Sequence, residues 1–81
     1  MAQFVATFHT HLSAMRSHRA LQRSGAKAAL APVPRKLSAS CGTCVRYEAD
    51  SALLDCMDVD VDSVFEQLDS KTFHKLYSNE I

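Results

Sequence analysis

Within the first 25 residues the hydrophobic period switches from two to 3.6, and that switch limits the fold more than any other feature of the chain. From Gln3 to Phe8 the residues alternate, with Phe4, Ala6 and Phe8 on one face and Val5 and Thr7 on the other. That is a strand pattern. Thr10 is an N-cap residue type, and Gly25 is a stop signal, so a helix is expected from Thr10 to about Ser24. At 100° per residue Ala14, His18 and Leu21 share its inner side, flanked by Met15. Arg16, Arg19 and Arg23 form a basic stripe on the outer side.

The next segments repeat the theme. Ala26 to Ala31 reads as a second strand, ended by Pro32 and Pro34, which lack the N–H that a sheet ladder needs. Arg35 to Gly42 is a polar loop, and Thr43 to Glu48 alternates as a third strand. Asp50 or Ser51 is placed to cap a second helix through Leu53, Leu54 and Met57. Val59, Val61, Val64 and Phe65 put a fourth strand within 59–68, and Ser70 is placed to cap a last helix on which Phe73, Leu76 and Tyr77 share a face. The order β-α-β-β-α-β predicts a ferredoxin-like α/β sandwich, its sheet covered on one face by two helices. Residues 1–68 form that single domain, and 69–81 a C-terminal helical extension. The crossover rule makes the first two strands parallel if they share the sheet. His9, Thr10 and His11 then lie at the same edge as the loop carrying Arg35, Ser38, Ser40 and Cys41.

Composition narrows the function classes. With 81 residues there is one domain and a modest core, so a homodimer is a reasonable expectation. Hydrophobic residues make up 47% of the chain, too many for disorder. No apolar run approaches the ~20 residues of a membrane span, and the first residues lack the basic start of a secretory leader. Net charge is zero, which argues against a nucleic-acid ligand. The charge is nonetheless uneven. No acid precedes Glu48, while seven Lys and Arg fall between Arg16 and Arg46; nine acids follow. An acid-poor, Arg/Ser/Ala-rich front resembles a transit peptide, but the strand, helix and strand it contains favour a folded role, with a basic helix packed beside an acidic one. Three cysteines is an odd set for a disulfide scaffold, so a reducing, cytoplasmic compartment is expected.

Chemistry points to Cys41-Gly42-Thr43-Cys44. A thiol reacts as its thiolate, which helix N-termini and nearby cations favour. The topology offers the first helix's N-terminus together with Arg35 or a protonated His9. Gly42 gives the backbone freedom to leave the Cys41 sulfur exposed. Cys44 is spaced to resolve an oxidised or persulfidated Cys41. The plain alternative is two inert thiols. A CxxC at the start of a strand lacks the thioredoxin context, in which the motif opens a helix.

The run Pro32-Val33-Pro34-Arg35-Lys36-Leu37-Ser38-Ala39-Ser40-Cys41-Gly42 resembles the signature of the selenium/sulfur carrier-like proteins, a small bacterial family. Phe8-His9-Thr10 and the helix with Ala14-Met15 resemble its front half, and the likeness spans about residues 3–68. It implies a compact α/β fold, with sulfur or selenium carried on Cys41 between a donor, such as a cysteine desulfurase, and an acceptor protein. Such a carrier is not an autonomous enzyme, and needs no cofactor. Arg35 would hold an anionic group, and Ser38 and Ser40 would donate hydrogen bonds.

Other readings stay open. Cys41, Cys44, His9 and His11 have the ligand types for a zinc site. Asp58, Asp60, Asp62, Glu66 and Asp69 fall at EF-hand spacing, although Ser63 replaces the required glycine. A thiol-redox domain, or a protein-interaction module without thiol chemistry, is a further alternative. His18 and Cys56 suit packed positions, and His74 has no evident partner.

Overall fold

The computed structural model describes residues 1–37 and 41–79. The first strand, β1, is Ala2–Phe8; the helix α1 is His11–Arg23; β2 is Lys27–Pro32, β3 Thr43–Ala49, β4 Val61–Gln67 and β5 Phe73–Ser78. They build one five-stranded sheet in the order β2-β3-β1-β4-β5, with every neighbouring pair antiparallel. Both β1 and β2 run against β3, so the α1 crossover joins two parallel strands with β3 between them. Among the described residues α1 is the only α-helix, and no helix is long and apolar enough to cross a membrane.

The start of α1 follows from the sequence. Thr10 is extended, and its hydroxyl accepts the Ser13 N–H at 3.1 Å, which satisfies one of the free donors of the first turn. Gly25, at φ 93°, turns the chain out of the helix where a side chain would be strained. The alternation of β1 decides which face α1 covers. Phe4, Ala6 and Phe8 pack with Ala14 and Leu21 of α1, with Val45, Tyr47 and Ala49 of β3, and with Val61 and Val64 of β4. The Phe4 and Tyr47 rings stack at 5.1 Å. Ser13 and Ser17 are buried too, their small side chains letting the helix sit close to the chain beneath. The Ser17 hydroxyl accepts the Asp58 N–H at 2.8 Å. Met15, expected at the flank of the buried side, is exposed. His18 is the packed histidine the pattern calls for: its Nε2–H donates to the Ala28 carbonyl at 3.0 Å and ties α1 to β2.

Two expected helices are absent. The segment placed after Asp50 and Ser51 makes only a single 3-10 turn, Leu54–Cys56. Leu53 sits at φ 52° and ψ 45°, a left-handed conformation that a helix start cannot contain. The Ala52 carbonyl is taken by the buried Tyr47 hydroxyl. A helix of some seven residues also nucleates poorly, and the Tyr47 bond together with the left-handed turn outweighs it. The C-terminal segment is the edge strand β5. Its turn is closed by the Asp69 carboxylate, which accepts the Lys71 N–H at 2.8 Å, and by the Leu68 N–H, which donates to the Thr72 carbonyl at 2.9 Å. The Lys71 bond, first among its causes, holds Asp69 below the usual carboxylate range. Phe73 meets Phe65 edge-on at 6.5 Å, and Lys75 lies 5.6 Å over the Phe65 ring. These cross-strand contacts favour β5 over a helix capped by Ser70. The acidic second helix expected beside α1 is therefore missing. Among the described residues the one ion pair is Arg16 to Asp58, at 3.9 Å.

Among the described residues the second face of the sheet carries no helix. Val5, Thr7 and Cys44 lie there and are fully buried. The described chain that reaches this face is the arm leaving β2. Its Lys36 Nζ donates to the Lys71 carbonyl at 2.7 Å, and Leu37 shares a cleft with Phe65 and Phe73. The two faces are thus covered by different devices: α1 on one, the arm that leads to Cys41 on the other.

Candidate functional site

Strand register brings the turn from β1 into α1, with His9, Thr10 and His11, to the edge where Cys41 and Thr43 enter β3. Thr7 pairs with Cys44, so the end of β1 lies beside the start of β3. The turn from β1 into α1 then meets the return of the β2–β3 connection. His11 Nδ1 is hydrogen-bonded to Thr43 Oγ1 at 3.3 Å, a link between the first residue of α1 and the first of β3. The Val33 N–H donates to the Gly42 carbonyl at 3.1 Å and closes the base of the connection. Cys41 stands directly beyond this closure. The positive end of the α1 dipole is at the same edge.

The three cysteines are free, and they differ in exposure. Cys41 is half-buried. Cys44, three residues on, is fully buried, and its thiol donates to the Pro32 carbonyl at 3.5 Å. Burial pushes the Cys44 thiol above its ordinary value of 9.0, against the smaller opposing pull of Arg46. Cys56, on the 3-10 turn, is half-buried, and its Sγ donates to the Ser24 hydroxyl at 3.6 Å, beyond the C-terminal end of α1. Since α1 spans 13 residues, about 20 Å of helix separates the Cys56 end of the molecule from the Cys41 end.

The remaining candidates take distinct places. Arg35 is exposed on the arm. Ser38 and Ser40 lie outside the described residues. Thr10 is engaged as the cap of α1. The His9 N–H donates to the Asp60 carbonyl at 3.0 Å, and its buried Nε2 has no hydrogen-bond partner among the described residues. Gly42 departs from its expected role. It is not among the positive-φ glycines, and a Cβ there would meet nothing within 4 Å, so the backbone does not require glycine at this position.

Strand alternation also bears on the metal reading. Thr43 turns to His11 at the end of α1, whereas Cys44 points to the opposite face. Cys44 and His11 are therefore on different sides of the sheet. Among the described residues no three His, Cys, Asp or Glu side chains are placed to hold a metal ion. The calcium spacing is likewise dispersed, because Asp62 and Glu66 are strand residues of β4. Thr43 and Lys36 are the contributors that the sequence does not single out. Each acts through one long-range hydrogen bond, which leaves no local pattern.

Residues 3–57, more than half of the chain, match the family described as "Putative Se/S carrier protein-like". The chain belongs to this family. No curated protein and no solved structure matches it. The part shared with the Se/S carrier-like family runs from β1 through the 3-10 turn and contains all three cysteines. It stops short of residue 68, where the likeness read from the sequence ended, so β4 and β5 lie beyond it.

Proposed function

We propose that this Se/S carrier-like protein holds sulfur or selenium on Cys41 and passes it between partner proteins, in a reducing cytoplasmic setting. The observation that carries the reading is the contrast between neighbouring thiols at one edge of the sheet. Cys41 is partly open to solvent beside the N-terminal end of α1, while Cys44 is sealed beneath the other face. In the transfer step the Cys41 thiolate attacks the outer sulfur of a donor persulfide. The bond from Cys41 Sγ to that sulfur forms as the donor's S–S bond breaks. The electron pair leaves on the donor thiolate, and the transferred sulfur keeps its proton, so there is no net oxidation. An acceptor thiol then takes the sulfur by the same exchange. A selenopersulfide donor follows the same course.

Such a carrier needs access and a local positive field more than a general base of its own. Arg35, exposed on the arm, supplies a cation for the incoming anion. Ser38 and Ser40, close before Cys41 in the sequence, are the hydroxyl donors this reading assigns to its cargo. The raised pKa of Cys44 makes it a poor nucleophile at neutral pH. In this reading Cys41 is discharged by the acceptor's thiol, not by a Cys41–Cys44 disulfide with loss of hydrogen sulfide. The test is uptake of labelled sulfur from a charged cysteine desulfurase. Cys41→Ser abolishes labelling, while Cys44→Ser and Cys56→Ser keep it. Undiminished labelling of Cys41→Ser would refute the reading.

A further inference from the structure

The outer face of α1 has a composition that the fold does not use. Leu12 and Met15 are 55% and 40% exposed, and Arg16, Arg19 and Arg23 are exposed beside them. Positions 12, 15, 16, 19 and 23 follow helical spacing, so they form one stripe. It is cationic without relief, since α1 contains no acid and none occurs in the chain before Glu48. A structural role would show as ion pairs to the acidic second half. Among the described residues there is one, Arg16 to Asp58 at 3.9 Å, with the arginine side chain still 63% exposed; Arg19 and Arg23 have none. The stripe begins at the end of α1 where His11 meets Thr43, two residues from Cys41. It runs about 20 Å from there.

We propose that this face docks the protein that delivers sulfur or selenium to Cys41, through an acidic surface with a small apolar patch at one end. The inference rests on the carrier reading and adds the partner's chemistry to it. Charge complementarity selects the occupant: a cationic stripe with one weak ion pair speeds the encounter with an acidic surface and disfavours a basic one. Leu12 and Met15 give the contact an apolar patch at the end of the stripe nearest the His11–Thr43 link.

The test compares two donors to the full-length protein. One is a cysteine desulfurase charged with persulfide, which needs a docking surface; the other is glutathione persulfide, which does not. Arg19→Glu with Arg23→Glu lowers the transfer rate from the desulfurase at least ~10-fold and leaves the glutathione persulfide rate unchanged. Salt raised from ~50 to ~300 mM slows the wild-type rate from the desulfurase alone. Both substitutions are at exposed positions, and circular dichroism confirms that the variant folds. Equal desulfurase rates in variant and wild type overturn the proposal. So does wild-type transfer from glutathione persulfide with none from the desulfurase. A wild-type dimer that the double substitution dissociates also overturns it, because the face then belongs to a second copy. Failure of wild-type Cys41 to accept sulfur from either donor instead refutes the carrier reading itself.

Discussion

The Cys44 thiol and the Tyr47 hydroxyl are two residues of one strand buried on opposite faces, and both are held in their protonated forms. Burial raises each above its ordinary value, 9.0 for the thiol and 10.0 for the phenol. A raised pKa means that the folded state keeps its proton where the unfolded chain has lost it. The stabilisation is therefore fully present below about pH 9 and falls as pH rises past the two ordinary values. The urea midpoint is expected to be level between about pH 7 and 8.5 and to drop progressively above about pH 9.5. In Tyr47→Phe the alkaline part of that drop is shallower. The same variant leaves the Ala52 carbonyl without its donor and costs about 1–3 kcal/mol at neutral pH, read by urea denaturation. Exposure sorts the thiols as well. Iodoacetamide at neutral pH is expected to modify Cys41 in the native protein and to leave Cys44 unmodified until the chain unfolds, as located by mass spectrometry.

Among the elements, those with local chemical signals were legible in the sequence. The alternation of Phe4, Ala6 and Phe8, the Thr10 cap and the Gly25 stop set β1 and α1 to within a residue or two of their bounds. Pro32 ends β2 as its missing donor requires. Thr10→Ala is expected to cost about 1 kcal/mol in urea denaturation, the usual worth of such a cap. The two expected helices do not form because contacts outside the helical pattern outweigh it, one a bond five residues back in the chain and the other a pairing with a neighbouring strand. Leu53, Leu54 and Met57 suit a helix, but the left-handed turn at Leu53 and the bond from Tyr47 to Ala52 outweigh that pattern. Phe73, Leu76 and Tyr77 have helical spacing, yet Phe73 and Lys75 also suit a strand against Phe65. Only the partner strand decides between the two periods. Phe73→Ala is expected to raise amide exchange along β5 by weakening that contact, while the amides shared by β1 and β3 stay protected. Uniform exchange across the sheet would contradict this account. The edge that holds the candidate site was legible for a related reason: the crossover rule fixes where β1 ends relative to the β2–β3 connection. The link from His11 to Thr43 was not, because it joins residues 32 apart in the chain.

For the molecule as a whole, the shared family segment and the folding unit do not coincide. The match ends at residue 57, but β1, in the middle of the sheet, pairs along nearly its whole length with β4. Val61 and Val64 of β4 also complete the core under α1. Deleting residues 58–81 is therefore expected to remove the cooperative thermal transition, even though every family residue is retained; a sharp transition in that fragment would contradict the pairing. The same architecture sets the other two thiols apart from Cys41 in different ways, Cys44 by burial on the opposite face of the sheet at the same edge and Cys56 by its place at the far end of α1. The most direct measurement of the central claim is peptide mapping of the wild-type protein after exposure to a persulfide-charged cysteine desulfurase. The account predicts one added sulfur, on the peptide containing Cys41 and on that residue within it. A persulfide found on Cys44 or Cys56 with Cys41 unmodified, or no added sulfur at any of the three, would contradict it.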